Sequence, residues 1–151
     1  MSLTPQEPRQ ELRQVPVIIG RSEHAMRMRD FAEQAGRTEH TILLRGETGS
    51  GKDHLAEYIH HLGRRGRTFV PVDCGALRET LSETELFGHT RGAFTDAQQI
   101  KQGLVQVAED GTLFFNEVAN MSLSLQAKFL RVLEKKTFRQ VGGTKEMSIN
   151  T

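Results

Sequence analysis

The sequence predicts an α/β domain in which a parallel sheet is covered by helices on both faces, and three observations carry that expectation. Short apolar runs at 41–44, 68–72 and 112–115 alternate with segments whose apolar residues recur at helical spacing. The first of these runs enters a glycine-rich turn that ends in lysine, Gly46-Glu47-Thr48-Gly49-Ser50-Gly51-Lys52-Asp53. The last runs from apolar residues into a polar tip, Asn116-Glu117. In open α/β sheets, ligands bind at the carboxyl ends of the strands, where both of these features would lie.

The elements follow in order. Residues 1–15 are polar, carry two prolines before Gln14 and read as a linker; the core is assigned to 16–151. Val15 to Ile19 is a short apolar run closed by Gly20. Ser22 then caps a helix with an apolar face of Met28, Phe31, Ala32 and Ala35, stopped by Gly36. Thr41 to Leu44 reads as a buried strand, and Leu55, Ala56, Ile59 and Leu62 mark the helix after the turn. Thr68 to Val72 is a second strand, with Pro71 placing it at an edge or near a strand end.

A short helix is expected around Leu81 to Phe87. From Gly88 to Gln99 the periodicity is lost, which reads as an inserted surface hairpin or loop. Leu104 to Ala108 is a short helix, Asp110-Gly111 a turn, and Thr112 to Phe115 a third buried strand. Leu123, Ala127, Leu130 and Leu133 mark another amphipathic helix. The closing segment, Phe138 to Val141, Gly142-Gly143 and Glu146 to Ile149, has hairpin grammar.

Two glycines four residues apart followed by lysine is the spacing of a phosphate loop. The glycines let the chain curl so that successive backbone N–H groups face phosphate oxygens. Lys52 adds a mobile positive charge, and the following helix aims its positive end at the same place. A glycine-rich surface turn is the plain alternative. The strand before the loop and the helix after it favour nucleotide, so Gly46, Glu47, Thr48, Gly49, Ser50, Gly51, Lys52 and Asp53 are assigned to binding it. The architecture is then a three-layer α/β phosphate-loop NTPase. Asp53 stands where many such loops carry a hydroxyl for magnesium, and a carboxylate is a competent ligand for that ion. Glu117 is suited to polarising an attacking water, with Asn116 beside it near the metal.

Composition bounds the remaining possibilities. The chain has 151 residues, 36% hydrophobic and 26% charged, enough for one domain with a core. No stretch is long and apolar enough for a membrane span or signal peptide, and the single cysteine, Cys74, excludes an internal disulfide; both suit a cytoplasmic location. A net charge of +1 gives no general pull toward DNA. Arg64-Arg65-Gly66-Arg67 and the stripe Lys128, Arg131 and Lys135 are read as solvated surface or a subunit contact rather than nucleic-acid contacts. His54, His60 and His61 lack the partners that a zinc site needs.

With these residues in view, the chain resembles the AAA+ ATPase domain of sigma-54-dependent transcriptional activators, the bacterial enhancer-binding proteins. The resemblance runs from about Val17 to Gly143. It is carried by Ile18-Ile19-Gly20, by the phosphate loop, and by Val72-Asp73-Cys74-Gly75-Ala76-Leu77. Glu85-Leu86-Phe87-Gly88-His89, Gly92-Ala93-Phe94-Thr95-Asp96-Ala97, Gly111 to Glu117, and Phe138-Arg139-Gln140-Val141-Gly142-Gly143 complete it.

What the resemblance implies is an ATP- and Mg2+-dependent homo-oligomeric ring, typically a hexamer, that remodels RNA polymerase held closed by sigma-54. Ile19 and Gly20 are implied to join the nucleotide site, and Phe94 and Thr95 match the pair that contacts the sigma factor. Direct DNA contact by this segment is not implied. Three positions depart from the family pattern. Asp96 replaces a glycine of the sigma-contacting loop. Asn116 stands where aspartate is usual, and Asp73 where the family has an asparagine that pairs with the catalytic glutamate. The exchange of residue types suggests compensation, with Asp73 supplying the charge that Asn116 cannot, which puts Asp73 among the catalytic residues. The rival expectation is a domain that binds ATP but hydrolyses it poorly. Past Ile149 the family pattern continues into a sensor, arginine fingers and a helical lid; the 151 residues read as an excised subdomain without them. Because an arginine finger is worth about 10³–10⁵ in rate, negligible turnover is expected of the isolated chain.

Overall fold

A computed structural model describes residues 16–77 and 81–151; the expected linker over 1–15 lies outside the described residues. Helix α1, Glu23–Gly36, starts where Ser22 accepts a hydrogen bond from the Ala25 N–H at 3.2 Å. Helix α2, Lys52–Gly63, follows the phosphate loop, and Gly51 before it is left-handed. Strand β1, Phe69–Asp73, and strand β2, Thr112–Asn116, pair in parallel with Val70 beside Leu113 and Asp73 beside Asn116. Between them lie α3, Ser82–Phe87, and α4, Leu104–Val107. After β2 come a 3-10 turn over Val118–Asn120, helix α5, Leu123–Lys135, and an antiparallel pair, β3, Thr137–Phe138, with β4, Met147–Ser148.

Strand periodicity of two sorts the β1–β2 residues into two faces. Val70, Val72, Leu113 and Phe115 join the larger core with α3, α4 and α5, where Phe115 meets Phe129 edge-on at 4.4 Å. On the opposite face, Phe69 stacks with Phe114 and touches His60 of α2. His60 Nδ1 is 2.8 Å from the Thr112 hydroxyl and Nε2 is 3.2 Å from the Arg67 carbonyl oxygen. Helices thus cover both faces of the pair. A smaller core joins α1 to α2 through Ala32, Leu55 and Ile59. The helices approach closely at Gly36 and Gly63: a Cβ on Gly63 would lie 1.9 Å from the Gly36 carbonyl oxygen.

Several expectations require correction. Thr41 to Leu44 forms no strand: Ile42 and Leu44 pack on the smaller core and Leu43 is exposed, but no ladder partner lies beside the run among the described residues. Apolar alternation sets which way side chains face; a strand also needs a neighbour to take its N–H and C=O groups. The buried face of α5 is Leu125, Phe129 and Val132, with Leu133 packed beside it, whereas Leu123, Ala127 and Leu130 face outward. Both registers have helical spacing, and the aromatic ring settled the choice through Phe115. Phe31 and Leu62 are likewise exposed, and β2 is half-buried rather than buried. Of the basic stripe, Arg131 and Lys135 are exposed, while the partly exposed Lys128 also bonds Glu83 at 2.6 Å and lies over the Phe87 ring, joining α5 to α3.

Candidate nucleotide site

The loop from Gly46 to Gly51 lies on the surface. Gly49 and Gly51 have φ of 79° and 84°, a region that side-chain-bearing residues rarely adopt, and a Cβ built on either meets nothing within 4 Å. The loop is thus curled by its backbone and open on its outer side. Lys52 Nζ donates to the carbonyl oxygens of Gly46 at 3.1 Å and Glu47 at 2.7 Å, so the ammonium folds back under the loop that it terminates. Ser50 N–H donates to the Glu47 carbonyl oxygen at 3.2 Å and tightens the same curl.

The strand tip reaches this loop. Asn116 Nδ2 donates to Asp53 Oδ2 at 3.4 Å, linking the end of β2 to the first turn of α2. Asp53, Asn116, Asp73 and Glu117 therefore cluster at one end of the sheet. Hard oxygen donors suit magnesium, and Asp53 offers an exposed carboxylate; Asn116 turns its amide nitrogen toward that carboxylate, and no group of three or more Asp, Glu, His or Cys placed to hold a metal ion is present among the described residues.

The carboxylates of Asp73 and Glu117 are separately satisfied. Asp73 Oδ1 accepts from its own Gly75 N–H at 2.9 Å, and Glu117 Oε2 accepts from Asn120 Nδ2 at 2.8 Å. Both still act on Cys74, which is buried and follows Asp73. Burial first, then the charges of Asp73 and Glu117, push its thiol up to about 11. Asn120 was not anticipated from the sequence. A polar residue three positions after Glu117 was the available signal, but only the turn that folds it back gives it meaning.

The remaining expected residues sit as follows. Ile18 packs on the smaller core, while Ile19 is 91% exposed and Gly20 has φ 139°. Arg29 donates to the carbonyl oxygens of Ile18 and Gly20, and His54 Nε2 is 3.0 Å from the Val17 carbonyl oxygen, so this segment is held across α1 and the start of α2. Phe94 and Thr95 are exposed in a turn remote in sequence from the loop. That turn is closed by Gly92 N–H to the Ala97 carbonyl oxygen, and its base by reciprocal 3.0 Å bonds between His89 and Lys101. The His89 ring meets Phe94 edge-on at 4.9 Å. A surface hairpin is therefore present, and its base also pairs with Val141 beside Gly142.

Comparison with known proteins places these features. Residues 18–151 match the sigma-54 interaction domain. The chain is 44% identical over 132 residues to the transcriptional regulator VasH of Vibrio cholerae, covering 87% of this chain and 25% of that protein. It is 43% identical to a Nif-specific regulatory protein of Azorhizobium caulinodans, over 88% of this chain and 22% of the relative. With the response regulator PilR of Pseudomonas aeruginosa it shares 41% identity over 93% of this chain and 32% of the relative. The chain thus spans between about a fifth and a third of the length of these relatives. Among solved structures, NtrX from Brucella abortus in complex with ATP superposes with a TM-score of 0.77 at 32% identity. That match covers 88% of this chain and 28% of NtrX. The ADP complex gives 0.76 at 33% identity, over 88% of this chain and 29% of NtrX. The α/β arrangement is that of the phosphate-loop NTPases, and the chain belongs to the sigma-54 interaction domain family.

Proposed function

We propose that this chain is the nucleotide-binding core of a sigma-54-dependent transcription regulator, one that couples ATP hydrolysis to remodelling of the sigma-54 RNA polymerase holoenzyme. The observation that carries the reading is the 3.4 Å contact between Asn116 and Asp53, which sets the strand tip and the phosphate loop at one locus. On this reading the loop amides of Gly46 to Gly51 and the Lys52 ammonium hold the phosphates. Lys52 exchanges its two carbonyl acceptors for phosphate oxygens as it does so. Ile19 and Gly20, tied to the start of α2, border the nucleotide.

Glu117 takes a proton from water as its oxygen attacks the γ-phosphorus, and the bond to the β-phosphate oxygen breaks to release ADP. Magnesium held by Asp53 and Asn116, with Asp73 adding charge nearby, would neutralise the developing charge. Phe94 and Thr95, presented at the tip of the hairpin, form the sigma-54 contact, and Asp96 adds a charge beside them. In the whole protein the domain assembles into a ring, with the site completed by a neighbour.

A second reading has its own support: a domain that uses ATP as an assembly ligand without turnover. Lys52 is committed to loop carbonyls, and the strand tip carries an amide in place of a carboxylate. Titration of nucleotide by calorimetry with and without Mg2+ separates the two. Magnesium-assisted ATP binding, lost in Lys52→Ala, is expected for the first; metal-indifferent binding supports the second, and no binding sinks both.

A further inference from the structure

Glu117 leaves β2 in the left-handed region, with φ 52°. That reversal sends the chain into the Val118–Asn120 turn rather than onward in an extended line. Asn120 closes the turn twice. Its backbone N–H donates to the Glu117 carbonyl oxygen at 2.8 Å, and its side-chain Nδ2 donates to Glu117 Oε2 at 2.8 Å. Main chain and carboxylate of the same glutamate are thus fixed by one residue. An exposed glutamate is otherwise spread over several rotamers, so a donor with good geometry selects among them.

Asp73, the carboxylate at the end of the neighbouring strand, is acceptor-only and is already engaged by Gly75 N–H at 2.9 Å. The Asn120 amide hangs over that turn. A Cβ on Gly75 would lie 3.6 Å from Asn120 Nδ2, an ordinary contact distance, which places the amide beside the Asp73 turn.

We infer that Asn120 is a positioning residue that fixes where the Glu117 carboxylate points, and so governs its reach to the attacking water. The inference rests on hydrolysis at this site as proposed above. Asn120 touches neither nucleotide nor water on this account; it acts through Glu117 alone. Its loss is therefore expected to change the rate of the chemical step and leave nucleotide binding intact.

Two measurements test it. In the chain itself, the Asn120 side-chain amide, assigned by its disappearance in Asn120→Asp, is expected to give a hydrogen-bonded, downfield proton in 15N-resolved NMR. That proton should return to a free-amide position in Glu117→Ala and persist in Asp73→Asn. An Asn120 amide indifferent to Glu117→Ala overturns the inference whatever the enzyme does. In single-turnover hydrolysis of ATP by the whole ring-forming protein that carries this domain, Asn120→Ala is expected to slow the step by about 10–100-fold at unchanged affinity for Mg-ATP, with Asn120→Gln recovering part of the loss. If Glu117→Gln stops hydrolysis and Asn120→Ala does not slow it, the positioning role is wrong. If Glu117→Gln itself changes nothing, the proposed hydrolysis has failed and the role falls with it.

Discussion

Asn116→Asp restores a carboxylate to the strand tip and places it against Asp53. The Asn116 amide donates to Asp53 Oδ2 at 3.4 Å, so the substitution removes a donor and brings two like charges to about that separation. The site is open to water, and two unit charges at this distance in a water-like dielectric repel by about 1.2 kcal/mol. The lost hydrogen bond adds about 0.5 kcal/mol, since a long, exposed bond sits at the low end of its range. Without divalent cation the variant should therefore be less stable than the parent by about 1.5–2 kcal/mol, a fall in melting temperature of about 6 °C for a domain of this size.

Magnesium reverses the sign, because the two carboxylates become ligands. At a concentration 100 times its Kd, an ion bound only by the folded state returns about 2.7 kcal/mol, enough to bring the variant level with the parent or above it. Thermal denaturation followed by circular dichroism, first in EDTA and then across a Mg2+ series, measures both halves. A variant that melts with the parent in EDTA, or gains no more from Mg2+ than the parent does, would refute the assigned roles of Asp53 and Asn116. Adding Asp73→Asn closes a cycle. Compensation between the exchanged residues requires the effects on Mg-ATP affinity to be non-additive, and simple additivity would reject it.

Other consequences are more local. Phe129→Ala removes the ring that meets Phe115 at 4.4 Å in the larger core and is expected to cost about 3–5 kcal/mol, read as a lower urea midpoint at unchanged slope. Gly63→Ala drives a Cβ into the Gly36 carbonyl and should part α1 from α2 at a cost of about 1–3 kcal/mol; a melting temperature equal to the parent's would contradict that contact. Cys74, buried and with its thiol pushed up to about 11, should resist a thiol-specific reagent at pH 8 until the chain is unfolded in urea. Burial holds His60 below its ordinary value, so the unfolded chain binds its proton more readily. Stability should accordingly fall as pH drops through the ordinary histidine range, and His60→Gln should flatten that slope.

The phosphate loop was legible in the sequence because its chemistry is local: two left-handed glycines and a lysine curl the chain whatever surrounds them. The capped start of α1 at Ser22 and the parallel run of Phe69–Asp73 beside Thr112–Asn116 were legible for related reasons, since caps and apolar runs act over a few residues. Which face of α5 is buried was not. Leu123, Ala127 and Leu130 share helical spacing as well as Leu125, Phe129 and Val132 do, and the choice falls to whichever set meets the sheet. The apolar run Thr41 to Leu44 shows the same limit, because pairing depends on a neighbour rather than on the residues themselves.

At the site, residue types alone leave the partners of Asp73 and Glu117 open, and only the folded chain shows each carboxylate with a donor of its own, Gly75 N–H for one and the Asn120 amide for the other. Sequence determined which chemical groups this protein carries and the short turns that present them. Tertiary structure decided which groups face each other, because hydrogen bonds and packing between distant segments depend on distances that no local spacing encodes.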